Sequence, residues 1–304
     1  MSKDPYQTGK KCGNISLIGR PNSGKSTLLN SLIGEKIAIV SERPQTTRNR
    51  IVGVLTKGLS QLIFVDNPGI HRPGFLLNQR MMQFVYQSLR EVDVIVHVMD
   101  VSIPFGKGEL FTLETISSMT QPKILALNKI DLIKKSRLLP MIERYERKSI
   151  YKSIIPISAE KRENLPGLLK SLIHLLPQKN WLYPDSHMTN QTEHQLTSEI
   201  IREKVLRHTY KELPYSTAVE IEVFDESRRL EGFLHIAANI IVEKPGQKKI
   251  LIGRGGKMIK KIGSEARRSL LKSLRISKMY LELNVKIVSG WRNQERLLDT
   301  FGVR

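Results

Sequence analysis

Gly19-Arg20-Pro21-Asn22-Ser23-Gly24-Lys25-Ser26 fits the pattern G-x-x-x-x-G-K-[ST]. Ile15-Ser16-Leu17-Ile18, just before it, reads as a short buried strand. Ser26 to Ile33, just after it, reads as a helix with Leu28, Leu29, Leu32 and Ile33 on one side. Strand, glycine loop and helix together are the setting of a phosphate-binding loop. Gly19 and Gly24 let the backbone turn tightly, so that successive N–H groups point at phosphate oxygens. Lys25 neutralises the β and γ phosphates of a nucleotide, and the Ser26 hydroxyl can hold Mg²⁺. The positive N-terminal end of the helix reinforces both. Arg20, Pro21, Asn22, Ser23 and Thr27 complete the predicted phosphate cradle.

Three further signals follow in a fixed order. Asp66-Asn67-Pro68-Gly69 ends the apolar run Leu62-Ile63-Phe64-Val65. A carboxylate at the end of a buried strand can hold Mg²⁺ beside the phosphate loop, and Gly69 offers a backbone N–H and a flexible joint near the γ-phosphate. Asn128-Lys129-Ile130-Asp131 ends the strand-like Ile124-Leu125-Ala126-Leu127. Here the logic is base selection. A carboxylate accepts hydrogen bonds from the N1–H and exocyclic amine of guanine, whereas adenine has no matching donor pair. Asp131 therefore selects GTP, with Asn128 and Lys129 shaping the base pocket. Ile157-Ser158-Ala159 is the weakest signal, its backbone placed to meet the guanine oxygen at Ser158 and Ala159. In this order and spacing, the four predict a GTP-binding switch on a doubly wound, mostly parallel sheet.

The rest of the composition agrees with this and adds a second half. The chain has 304 residues, enough for about two ordinary domains. A single cysteine, Cys12, excludes an internal disulfide and suits a reducing cytosol. Met1 to Gly13 is polar, without the apolar core of a signal peptide. No segment approaches the roughly 20 apolar residues of a membrane helix. The formal charge is +20, and Lys244 to Lys278 carries 12 basic residues against one acid, Glu265, a net of +11. Charge that concentrated implies a polyanionic partner.

The basic run is ordered as well as charged. Gly253-Arg254-Gly255-Gly256 is a G-x-x-G turn, and Lys257 to Leu274 after it reads as a helix with Ile259, Ile262, Ala266 and Leu270 close to one face. Lys260, Lys261, Arg267 and Arg268 lie largely away from that face. A glycine turn between two helices lets a nucleic-acid backbone approach closely, as in the clamp of a KH domain on single-stranded RNA. A helix near Glu199 to Tyr210, strands at Ala218–Val223 and Leu234–Val242, and a last strand at Tyr280–Val288 supply the element order of the prokaryotic (type II) KH fold. The predicted RNA contacts are Gly253, Arg254, Gly255, Gly256, Lys257, Lys260, Lys261, Arg267 and Arg268. The expected organisation is a tail (1–13), a GTPase domain (14–180), a linker (181–197, with Pro184 and a polar run) and a smaller α+β KH domain (198–304).

Together the two halves resemble the Era family of bacterial GTPases over nearly the whole chain. The resemblance rests on the octet at 19–26, Pro-Gln-Thr-Thr-Arg at 44–48, Asp66 to Gly69, Asn128 to Asp131, the G-x-x-G helix, and Trp291-Arg292-Asn293 with Glu295-Arg296. Asn67 and Ser23 stand where the family often has threonine and valine, and neither change removes a ligand. The resemblance implies binding of 16S rRNA near its 3′ end, a part in 30S subunit assembly, and a cytoplasmic protein with a peripheral fraction at the inner membrane. No feature suggests an obligate dimer interface, so a monomer is expected.

Mechanistically, GTP should order residues 38–50 and 69–82, and hydrolysis should release them. Ser26, Asp66 and Thr47, with Thr46 as the less favoured alternative, are the predicted Mg²⁺ ligands. Asn22, Lys25, Thr47 and Gly69 are the predicted catalytic set. Ile70 stands after Gly69, where many GTPases carry a glutamine that orients water; slow basal hydrolysis follows. Asn22 resembles the asparagine with which related GTPases bind K⁺. His71 reads as a surface histidine. Two competing readings are a membrane-associated signalling GTPase whose basic helix binds anionic lipid, and an RNA chaperone whose nucleotide only stabilises the fold.

Overall fold

The structure is a computed structural model and describes residues 9–43, 46–70 and 75–301. Six strands form the first sheet: β1 (Lys11–Ile18), β2 (Ile51–Lys57), β3 (Ser60–Asp66), β4 (Val94–Asp100), β5 (Lys123–Asn128) and β6 (Ser153–Pro156). Their order is β2-β3-β1-β4-β5-β6. Only β2 runs antiparallel to its neighbour. β3 and β5 are buried along their whole length, a pattern that a sheet covered on both faces requires. The helices α1 (Lys25–Ile33), α2 (Leu76–Glu91), α3 (Lys107–Ser117), α4 (Leu138–Glu146) and α5 (Leu165–Leu175) provide that cover. Leu28 and Leu29 of α1 and Leu168 and Leu172 of α5 pack with Ile15, Leu17, Phe64 and Val96. A separate cluster joins Val85 and Leu89 of α2 and Ile116 of α3 to Ile18 and Ile95. The doubly wound sheet expected from the sequence is the observed one.

This topology gathers the four sequence signals. In register, Leu17 of β1 faces Asp66 of β3, and Asp100 of β4 faces Asn128 of β5. The parallel strands β1, β3, β4 and β5 therefore end at one edge of the sheet. An open α/β sheet binds its ligands in that crevice.

β1 begins at Lys11, inside the stretch read as a tail. Residues 181–190, read as part of a linker, lie against the sheet. Leu182 and Tyr183 donate their N–H groups to Gln61 Oε1 at 2.9 and 3.0 Å. Val54 N–H donates to the Met188 carbonyl at 2.9 Å, and Thr189 Oγ1 donates to the Val52 carbonyl at 2.8 Å. The segment thus covers the free edge of β2, which would otherwise offer unpaired backbone groups to another chain.

Contacts divide the chain into two units, one running to Asn190 and one from Gln191, with Ile39–Thr46 and Pro73–Arg80 grouped in the second. The second unit has a three-stranded sheet of β7 (Ala218–Asp225), β8 (Phe233–Val242) and β9 (Lys278–Ile287), antiparallel and then parallel. Its helices are α6 (Glu193–His208), α7 (Pro245–Ile252), α8 (Lys257–Ser273) and the short α9 (Glu295–Thr300). This is the type II KH order followed by one extra helix that the sequence reading missed. α6 starts before the predicted Glu199 because Thr192 and Gln195 form a capping box at 3.0 and 3.2 Å. Ile200 and Val205 of α6, Ile236 and Ile240 of β8, and Ile262, Ala266 and Leu270 of α8 share one core, which Ile39 also enters. Trp291 is buried and donates its Nε1–H to the Ser216 carbonyl at 3.1 Å.

Candidate functional site

The phosphate loop leaves β1 at Gly19 and enters α1 at Lys25. Gly19 and Gly69 have no room for a side chain. At Gly69 a Cβ would stand 2.6 Å from the Pro21 nitrogen. Ile70 N–H donates to the Gly19 carbonyl at 3.1 Å, so the loop and the segment after Asp66 are laced together by backbone. Gly24 has a φ of +97°, in the left-handed region that favours glycine. Asn22 shares that region at +64°. Lys25 Nζ folds over the loop onto the Gly19 and Arg20 carbonyls at 3.2 and 3.0 Å.

Three oxygens converge beside it. Ser26 Oγ lies 2.6 Å from Asp66 Oδ2 and 2.8 Å from Thr47 Oγ1, and Thr47 Oγ1 lies 3.4 Å from the same carboxylate oxygen. Asp66 is completely buried, and its Oδ1 has no hydrogen-bond partner among the described residues. A buried carboxylate oxygen left unpaired is costly, and a hard cation with oxygen ligands removes that cost. The donor set fits Mg²⁺. The Thr46 hydroxyl is engaged elsewhere, donating to the Arg43 carbonyl at 2.6 Å. The Thr47 hydroxyl, not that of Thr46, is therefore the one beside the carboxylate.

Burial pushes the Asp66 carboxyl up to about 6, against the opposing pull of Lys25 and of the Ser26 and Thr47 hydroxyls. Burial likewise lowers Lys25 to about 8, opposed by Asp66 and Glu109. Between pH 3.8 and about 6 the nucleotide-free native state holds a proton on Asp66 that the unfolded chain has lost. That contribution to stability is complete below pH 3.8 and disappears as pH rises to about 6. Asp66→Asn, nucleotide-free, should then lie closest to the wild type at about pH 4, gain on it as pH rises to about 6, and keep a constant lead above that. Parallel melting-temperature profiles would refute this.

At the other end of the crevice, Asn128 is buried and used at both ends. Its Nδ2 donates to the Ser23 carbonyl at 2.8 Å, and its Oδ1 accepts from Ala159 N–H at 3.0 Å. Lys129 turns through a left-handed φ of +68°, and its Nζ pairs with Asp100 Oδ2 at 2.6 Å. Asp131 follows, exposed, in the short turn Ile130–Leu132. Ser158 Oγ caps Lys161 N–H at 3.1 Å. Asp100 was missed in the sequence. Its signal was an acidic residue ending a strand, like Asp66.

Two residues of the predicted nucleotide site turn their side chains into the core. The Asn67 side chain turns inward, its Nδ2 donating to Ser16 Oγ at 2.9 Å and Ser88 Oγ at 3.2 Å. Ile70 is buried in the apolar cluster with Ile18 and Met82. Both side chains are buried, Asn67 on the Ser16 and Ser88 hydroxyls and Ile70 among apolar neighbours. Only their backbones remain for a ligand. His71 lies outside the described residues.

In the second unit, α8 and β9 border a groove of about 600 Å³ lined by Ile259, Lys260, Gly263, Arg267, Leu281 and Leu283, with Arg268 also in the lining. Apolar floor and basic wall suit nucleobases and phosphates respectively. Of the predicted RNA residues, Lys260, Arg267 and Arg268 meet here. Lys257, Lys261 and Gly253–Gly256 lie outside the lining. Ile259, on the helix face expected to be apolar, is half-buried, packing against the core and also lining the groove floor. Gly263 was missed: a mid-helix glycine that keeps the groove open, where a Cβ would come 3.5 Å from Leu283. Glu265, the lone acid of the run, turns to His208 of α6 at 3.0 Å.

A family model described as a 50S ribosome-binding GTPase matches residues 14–129, and one described as a KH domain matches residues 212–292. The GTPase Era of Halothermothrix orenii is 44% identical over 294 residues, covering 97% of this chain and 99% of that protein. Among solved structures, an Aquifex aeolicus Era variant bound to GDP and aluminium fluoride matches with a TM-score of 0.92 at 36% identity, covering 96% of this chain and 99% of that one. Era in complex with MgGDPNP and nucleotides 1506–1542 of 16S ribosomal RNA matches at 0.93 and 36% identity, covering 97% and 99%.

Proposed function

The chain belongs to the Era family of GTPases, and on that premise we propose that it couples GTP hydrolysis to binding of 16S rRNA near its 3′ end during assembly of the 30S subunit. The observation that carries this reading is the pairing, in one chain, of a complete phosphate-and-oxygen site with a basic, apolar-floored groove beside a G-x-x-G turn.

Lys25 and the N–H groups entering α1 hold the phosphates, and Asp131 holds the guanine edge. Ser26, Thr47 and Asp66 would hold Mg²⁺, which would supply neutralisation of the phosphate charge. Thr47→Ala should raise the Mg²⁺ concentration for half-maximal GTP turnover about tenfold, the loss of one ligand at about 1.4 kcal/mol. Thr46→Ala should leave it unchanged, and equal effects of the two would reject the assignment. Ile70, buried, cannot orient water, so basal turnover is slow. Asn22 would hold a K⁺, which would supply an added positive charge at the phosphates. Turnover should be faster in K⁺ than in Na⁺ at matched ionic strength, and equal rates would remove the ion from the mechanism.

α8 turns Ile262, Ala266 and Leu270 into the core and keeps Lys260, Lys261, Arg267 and Arg268 outside. Its outward face is therefore basic rather than broadly apolar, which disfavours insertion into lipid. The deciding experiment measures affinity for the 1506–1542 segment and a scrambled RNA, with a GTP analogue, with GDP and without nucleotide. Tighter, sequence-dependent binding with the analogue supports the switch. Equal binding of both RNAs in every state, with a steep salt slope, would leave only nonspecific polyanion affinity.

A further inference from the structure

The groove beside α8 leaves much of the chain's charge without a partner. Residues 1–180 hold 27 Lys and Arg against 14 Asp and Glu, a net of +13, and the phosphate site uses little of it. One cavity in the first unit concentrates part of the remainder. It measures about 760 Å³ and is lined by Lys11, Lys152, Lys170, Ser153, Ser171 and His174, with Ile173 and Leu175. Lys11 opens β1, Ser153 opens β6, and Ile173–Leu175 close α5. The parallel strands run from this end toward the phosphate loop, so the cavity lies at the opposite end of the sheet.

The end of a helix repels anions through its unpaired carbonyls. Here that repulsion is already offset, because Lys11 Nζ donates to the Ile173 and His174 carbonyls at 2.8 and 3.2 Å. Lys152 and Lys170 are exposed and form no ion pair among the described residues. No carboxylate enters the lining, and the Ser153 and Ser171 hydroxyls add donors. The volume is that of a nucleotide-sized ligand rather than a lone ion.

We propose that this cavity is a second, sequence-independent RNA contact, in which Lys152 and Lys170 hold backbone phosphates. It rests on the reading of the protein as an rRNA-binding GTPase, and it adds a surface on the GTPase half. Neither lysine touches the nucleotide site, so Lys152→Glu/Lys170→Glu should retain basal GTP turnover, which serves as the check on folding.

The test compares the full-length double variant with the wild type on two RNAs: the 1506–1542 segment and complete 16S rRNA. The variant should bind the segment as the wild type does. On complete 16S rRNA its Kd should rise about tenfold at 0.1 M salt, and the salt slope should fall by about 1.5–2, the share of two phosphate contacts. Unchanged binding to complete 16S rRNA overturns the proposal. So does equal weakening on both RNAs, which is a change of overall charge. Loss of binding to phosphatidylglycerol vesicles with intact rRNA binding would assign the cavity to a lipid surface and overturn it too. If the wild type binds neither RNA, the rRNA reading itself fails and this inference falls with it.

Discussion

Asp131→Asn is expected to lower GTP affinity by about two to four orders of magnitude and to admit xanthosine triphosphate in its place. On the proposed reading the carboxylate would accept from two guanine donors, and charge-assisted hydrogen bonds at about 1.5–3 kcal/mol each sum to about 3–6 kcal/mol. An asparagine keeps one acceptor and presents an amide donor, which faces guanine's exocyclic amine donor but matches the oxygen that xanthine carries there. The fold should not suffer. Asp131 is exposed, and the turn around it is held by other groups: Leu132 N–H on the Lys129 carbonyl at 3.0 Å and Lys129 on Asp100. Nucleotide titration with GTP, ATP and XTP decides the matter. Unchanged GTP affinity, or loss of all three together, would remove Asp131 from base selection.

The second large effect is expected at the glycine turn. Gly255→Asp with Gly256→Asp should reduce affinity for the 1506–1542 segment by at least about a hundredfold, because two carboxylates replace open backbone where phosphates approach. GTP turnover should persist. A Cβ at either position meets nothing within 4 Å, so the cost to folding is confined to their φ values of +60° and +75°, about 1 kcal/mol each. Gly253 is different: its Cβ would come 2.7 Å from that of Met258. Gly253→Ala should therefore destabilise the second unit, whereas Gly255→Ala should be tolerated. Retained RNA affinity in the double aspartate variant, with normal melting, would move the RNA site away from the turn.

What the sequence disclosed and what it hid divide along physical lines. Local signals were legible: a glycine octet between strand and helix, acidic residues closing apolar runs, and a charge run behind G-x-x-G. Each depends on residues adjacent in the chain. The choice between Thr46 and Thr47 was not legible, since consecutive hydroxyls differ only in which way the backbone aims them. The inward turn of Asn67 depends on Ser16 and Ser88, far away in sequence. The groove floor mixes α8 with β9, and Leu281 and Leu283 carry no chemistry of their own until the strand lies beside the helix. Residues 181–190 looked featureless because their partners are the Gln61 side chain of β3 and backbone groups of β2, which no pattern within the segment announces.

Asn128 ties the phosphate cradle to the guanine loop through a single amide, Ser23 on one side and Ala159 on the other. The two ends of a bound nucleotide are therefore not released independently. Slackening either loop would withdraw support from the other, so the two ends should let go together, and the weaker grip would set the residence time. A factor that hastens exchange needs only one handle on the crevice, and a chain relying on spontaneous escape will exchange slowly.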